Sequence, residues 1–126
     1  MKARYGLLVF CSVMLLTAAT VAFGAGLPCN RNAVLEAWLK AKRGEWENRL
    51  VLIPGYESPG LLAVCRVAGG GPRSDGDNIY LPHLAGDEEL LSLAHEYVHL
   101  ALRHHPLSRD EGFVERMARV LIFGEE

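Results

Sequence analysis

Seventeen of the chain's apolar residues crowd into its first 24 positions, where no acidic residue occurs. Lys2 and Arg4 come first, an apolar run from Leu7 to Phe23 follows, and Ala22-Phe23-Gly24 closes it with small residues two apart. A charged start, an apolar middle and a small-residue exit are the three parts of a secretory signal segment. Residues 1–24 are therefore expected to be a signal peptide, cleaved at or near Gly24. A retained single-span anchor is the competing reading, because the run approaches bilayer-spanning length. Ser12, Thr17 and Thr20 dilute the run, which favours cleavage and leaves contact with the membrane to the signal segment alone. No other feature constrains the fold as much. It leaves about 102 residues (25–126), enough for one small core, and sends them to an oxidising compartment, periplasmic or secreted.

Without the signal, 11 basic and 15 acidic residues give the remainder a charge of −4. That balance excludes a nucleic-acid binder, and the ordinary apolar content excludes a disordered or collagen-like chain. So small a core benefits from a cross-link or a metal. Cys29 and Cys65 are the only two cysteines left after cleavage and are expected to pair, closing a loop worth about 3–4 kcal/mol.

Asn30 is placed to cap a helix over 31–42, with Val34, Leu35, Trp38 and Ala41 at helical spacing. Gly44 is expected to interrupt it, leaving 45–49 as a further turn that carries Trp46. Leu50–Ile53, Leu61–Val67 and Asn78–Leu81 read as short strands, and 68–77, with three consecutive glycines and Pro72, as a loop or hairpin connection. A long helix follows, from an N-cap at Asp87 to Arg103, and Pro106 stops it. Ser108 opens a last helix whose packing side is Phe113, Val114, Met117, Val120 and Leu121. The class this order predicts is α+β: a small β-sheet with two consecutive helices behind it.

Inside the first of those two helices stands His95-Glu96-Tyr97-Val98-His99. Residues four apart share one helix face, about 6 Å apart along the axis, so two imidazoles there can converge on one tetrahedral Zn²⁺. Glu96 points past the metal towards a metal-bound water, whose proton it can take as the water attacks a carbonyl. Two chance histidines on a surface helix would produce the same letters. The uncharged neighbours Leu93, Ala94, Tyr97, Val98, Leu100 and Ala101 argue against chance, because a carboxylate in an apolar stretch is costly unless something uses it.

A catalytic zinc needs a third protein ligand, and two residues compete for the place. His95-Glu96-x-x-His99-x-x-Leu102-x-x-His105 resembles the metzincin frame, but with Leu102 where that frame has glycine. Leucine favours continuing the helix, which would carry His105 about 15 Å along the axis from His95. Asp110-Glu111-Gly112-Phe113-Val114 resembles the Asn-Glu-Gly-Phe-Ala segment of gluzincin aminopeptidases, with Asp110 in place of Asn. That resemblance implies a minimal zincin-like metallopeptidase domain over 25–126, an active-site helix followed by a glutamate-bearing one. It implies Glu111 as third ligand and Glu115 as an acid that hydrogen-bonds a ligand histidine. Ser108-x-x-Glu111 also reads as a capping box in which Glu111 serves only the helix N-terminus. The spacing leaves both roles open.

Leu93–Ala101, with His105-Pro106 and Asp110-Glu111-x-Phe113-Val114-Glu115, also resembles an uncharacterised family of predicted secreted bacterial proteins, the YfaQ-like proteins, over about Cys29–Ile122. Membership would imply export to the periplasm, where a periplasmic protein partner is conceivable, and brings no reaction with it. The gluzincin resemblance further implies a Tyr or His that faces Glu96 and stabilises an oxyanion. Tyr80 and His83 are the candidates, since the strand 78–81 is expected to form the cleft's upper edge, against which an extended substrate pairs. Each also reads as an ordinary surface or core aromatic. Tyr97 points off the zinc face and is expected to pack, and His104 to cap the helix C-terminus.

The expected function is zinc-dependent hydrolysis of peptide or protein substrates in the bacterial envelope, with Glu96 as general base. The alternative is a non-catalytic, zinc-stabilised partner-binding module, favoured by how little chain is left for substrate subsites.

Overall fold

Asn32, not Asn30, starts the first helix in the computed structural model, which describes residues 29–124. The Asn32 side chain accepts a hydrogen bond from the Leu35 amide at 3.2 Å. Asn30 and Arg31 lie outside the helix as a short strand, β1 (Asn30–Arg31), ahead of α1 (Ala33–Leu50). The signal segment expected over 1–24 falls outside the described residues.

Gly44 does not interrupt α1. A helical glycine costs about 1 kcal/mol against alanine, and what lies beyond it outweighs that. Trp46 and Leu50 are buried and extend the face begun by Leu35 and Leu39. Two sequence expectations change as a result. The buried stripe is shifted from the one expected, leaving Val34 on the solvent side, 78% exposed. Leu50–Ile53 is no strand but the end of α1 and a turn, closed by the Ile53 amide on the Leu50 carbonyl at 2.9 Å.

Three further strands, β2 (Ala63–Val67), β3 (Arg73–Asp75) and β4 (Asn78–Pro82), complete a mixed sheet in the order β1-β2-β4-β3. β2 and β4 run parallel, with Cys65 opposite Tyr80, while β1 and β3 are antiparallel to their neighbours. The expected loop over 68–77 thus contains a strand, joined to β4 through a two-residue turn that opens on Gly76 at φ +43°. This makes β4 internal and β3 the edge. Cys29 and Cys65 form the disulfide, Cα–Cα 5.0 Å, binding the segment before β1 to the buried centre of β2.

α2 (Asp87–Ala101) begins after Gly86, whose φ of +58° supplies an N-cap geometry without a side-chain cap. Asp87 is therefore the first helical residue and not the cap, and with Glu88 and Glu89 it places negative charge where the helix dipole favours it. Leu93, Ala94, Tyr97, Val98 and Ala101 are buried, and α2 packs on β3, on β4 and on α3 (Glu111–Phe123). α2 ends at Ala101, short of Arg103 and well before Pro106, with Leu102 as its C-cap. The loop after α1 holds that end: the Glu57 amide donates to the Ala101 carbonyl at 2.9 Å. The Glu57 carboxylate takes Arg103 at 2.6 Å and His104 at 2.7 Å. His104 is thus tied to Glu57 and does not cap the helix.

Tyr97 packs as its helix phase predicts, 5.3 Å from the Trp46 ring. Its buried hydroxyl has no hydrogen-bond partner among the described residues, and burial pushes its pKa up to about 12. An unsatisfied buried donor costs about 1–3 kcal/mol, so Tyr97→Phe should leave the fold as stable or raise its urea midpoint. A clear drop in that midpoint would show that the hydroxyl is bonded in solution.

Candidate metal centre

The helix phase that buries Ala94, Tyr97 and Val98 turns His95, Glu96 and His99 towards a cleft of about 1280 Å³ between β3, α2 and α3. The ring centroids of His95 and His99 stand 5.0 Å apart. α3 runs back along α2 and brings Glu111 over both rings. Its Oε2 lies 2.7 Å from His95 Nε2 and its Oε1 3.1 Å from His99 Nε2. Ligands around a tetrahedral zinc at 2.0–2.1 Å stand about 3.3 Å apart, so these three groups need only small adjustments to share one ion. Two imidazoles and a carboxylate are also a donor set that suits zinc.

Each histidine is oriented from behind. His99 Nδ1 donates to the Ser108 carbonyl at 3.0 Å, which turns Nε2 into the cleft. His95 Nδ1 faces Glu115 Oε2 at 2.8 Å, the contact expected of Glu115, and Arg119 Nε holds the other oxygen of that carboxylate at 3.3 Å. Burial works against a charged His95. Its hydrogen bonds to Glu115 and Glu111 and the charges of Glu96 and Glu111 outweigh that, so its pKa lies above the ordinary histidine value.

Glu96 is the sole buried charged residue among those described, 6% exposed, and it lines the cleft. No hydrogen bond or ion pair holds its carboxylate among the described residues, although it lies within 4.8 Å of the ring nitrogens of His95 and His99.

The capping box that the spacing also allowed at Ser108 does not form. Asp110 is the N-cap of α3, accepting from the Phe113 amide at 3.1 Å, which leaves the Glu111 side chain to the histidines. His105 lies away from the cluster even though α2 stops early: its ring stacks on Phe113 at 4.9 Å and its Nδ1 accepts from the Leu107 amide. Tyr80 and His83 do not line the cleft. Tyr80 is buried in β4 beneath the Arg73 guanidinium, with its hydroxyl taken by Asn78, and His83 is exposed beyond the strand. The sheet element at the cleft is β3 and not the strand 78–81.

Two features of the site were missed in the sequence. Arg119 had a signal, since Glu111, Glu115, Arg119 and Phe123 recur every four residues and all face the cleft. The Ser108 carbonyl had none, because a backbone acceptor carries no residue identity.

Fold and site together describe a small α+β domain with two histidines and a glutamate gathered beside a buried acid. Over residues 14–107 the chain matches the family described as "Predicted secreted protein (DUF2300)", and it belongs to that family. It is 34% identical over 89 residues to the uncharacterized protein YfaQ of Escherichia coli (strain K12). The match takes in 69% of this chain but only 16% of that much longer relative. No solved structure matches. Membership makes the chain a secreted protein, and its disulfide fits the periplasm or the cell exterior.

Proposed function

We propose that this domain is a zinc-dependent hydrolase of peptide bonds, of the gluzincin-like type, with His95, His99 and Glu111 holding the metal. The carrying observation is Glu96: a buried residue whose carboxylate has no partner among the described residues and lies beside His95 and His99. A purely structural zinc site has no use for it, and this favours catalysis over a zinc-stabilised binding module. Zinc bound there would supply Lewis acidity, lowering the pKa of a water and polarising a carbonyl.

Glu96 takes the proton from the attacking water and delivers it to the leaving amine, so no covalent intermediate is needed. Glu115 and the Ser108 carbonyl keep the two rings in the tautomer and orientation that present Nε2. β3, the edge strand, lines the cleft and leaves one side of its backbone unpaired, which suits an extended peptide added as a further strand.

The test is metal removal. Purified protein should hold one zinc, hydrolyse an unstructured polypeptide, lose that activity after treatment with a chelator and regain it with stoichiometric zinc. Hydrolysis that survives chelation, or a protein that takes up no zinc, overturns the proposal.

A further inference from the structure

The two ends of the cleft carry opposite charge. At the α2 N-terminus lie Asp87 and Glu88, with Leu91 and Phe123 as apolar floor. At the other end, where α2 turns into α3, lie Arg103 and Arg109. Four arginines line the cleft, but not all are available to a ligand. Arg103 is matched by Glu57 at 2.6 Å and Arg119 by Glu115 at 3.3 Å, while Arg73 lies over the Tyr80 ring with one nitrogen on the Gly71 carbonyl. Among the described residues, Arg109 makes no ion pair, and neither do Asp87 and Glu88. Glu96, buried and without a partner among the described residues, lines the cleft between these ends.

We infer that the cleft selects extended peptides by charge order, with a basic group towards Asp87 and Glu88 and an acidic group towards Arg109. This rests on the hydrolase reading for the identity of the ligand as a peptide, and deepens it to a substrate class. Positions along the chain fix the spacing. Glu88 lies seven residues before His95, about 10 Å along the helix axis, which an extended peptide covers in about three residues. Arg109 follows Ser108, whose carbonyl touches His99, so it stands one or two peptide residues to the other side. A basic and an acidic side chain about four or five residues apart, with the scissile bond nearer the acidic one, satisfy both ends. The reverse order sets like charges against each other at both ends.

The test uses fluorescent hexapeptides of one composition: one places Lys before Glu, the second Glu before Lys, and an uncharged one serves as reference. Their binding to the zinc-loaded Glu96→Gln protein is read by fluorescence anisotropy. One charged order should bind about tenfold more tightly than the other in dilute buffer. The gap should close in 0.5 M salt, where screening takes effect. The double variant Glu88→Lys, Arg109→Glu should invert the order. Equal binding of both orders overturns the inference, as does a preference that the double variant leaves in place. The two readings fail separately. Charge-ordered binding with no cleavage by the wild-type protein overturns the hydrolase and keeps the charge-ordered cleft. Cleavage with no charge order does the opposite.

Discussion

Replacing Glu96 by Gln should reduce hydrolysis by about 10²–10⁴-fold while zinc content stays at one per chain. The magnitude is that of a general base removed with the rest of the site intact. Glutamine keeps the volume and cannot take a proton, so the water loses its acceptor without a cavity forming. The metal is expected to stay because His95, His99 and Glu111 are untouched. The structure adds an expectation about stability. Glu96 makes no hydrogen bond among the described residues, so the substitution breaks none and should leave the fold as stable. Lower activity together with unchanged or higher stability is the signature of a functional acid. A fall in both would mean that Glu96 serves the core. Zinc content by mass spectrometry, turnover of an unstructured polypeptide and a urea melt measure the three quantities. Turnover equal to wild type would overturn the mechanism.

What could be read from the sequence follows the range of the forces involved. The α2 helix and its two faces were legible, because side-chain period fixes which residues turn inward. Tyr97 and Ala101 go to the core and His95, Glu96 and His99 to the cleft by the same periodicity. The disulfide was legible by count. Glu111 and Glu115 were legible only through the resemblance to the gluzincin segment, and the structure places them against His95 at 2.7 and 2.8 Å.

Two of the misses lie where a tertiary contact overrules a local preference. Gly44 stays helical because Trp46 and Leu50 are buried beyond it. α2 stops at Ala101, despite the helical preference of Leu102, because Glu57 takes the last carbonyl and ties down Arg103 and His104. Tyr80 and His83 are candidates only if the strand 78–81 forms the cleft's edge. The short run Arg73–Asp75 holds that edge instead, and three residues without apolar alternation carry almost no strand signal. The charge order of the cleft lay beyond the sequence for a related reason. Arg103 and Arg109 look equivalent in the sequence, and it is the distant Glu57 that pairs Arg103 while Arg109 makes no ion pair among the described residues.

Glu111→Ala should strip zinc from the protein, with a loss of affinity larger than the about 10–100-fold typical of an outer partner such as Glu115. The sequence offered Glu111 two roles, ligand or capping-box acid, and these predict different phenotypes. A capping acid would be missed by α3 and not by the metal. In the structure Asp110 caps α3, and the Glu111 carboxylate faces both imidazoles at 2.7 and 3.1 Å. Asp110→Ala is therefore the informative partner: it should cost about 1 kcal/mol of stability through the lost cap and leave zinc affinity close to wild type. Glu111→Ala should do the reverse. Its side chain is 68% exposed, and an ion pair so open to solvent adds little to the metal-free fold. Competition against a chromophoric chelator measures the affinities, and a urea melt of metal-free protein measures the cap. If Glu111→Ala binds zinc as wild type does, the third ligand must come from elsewhere. His105 is poorly placed for that, because its ring is stacked on Phe113 and its Nδ1 is occupied by the Leu107 amide. Such a result would turn attention to Glu96 itself, within 4.8 Å of a ring nitrogen of each histidine, and a metal bound through it would be structural and not catalytic.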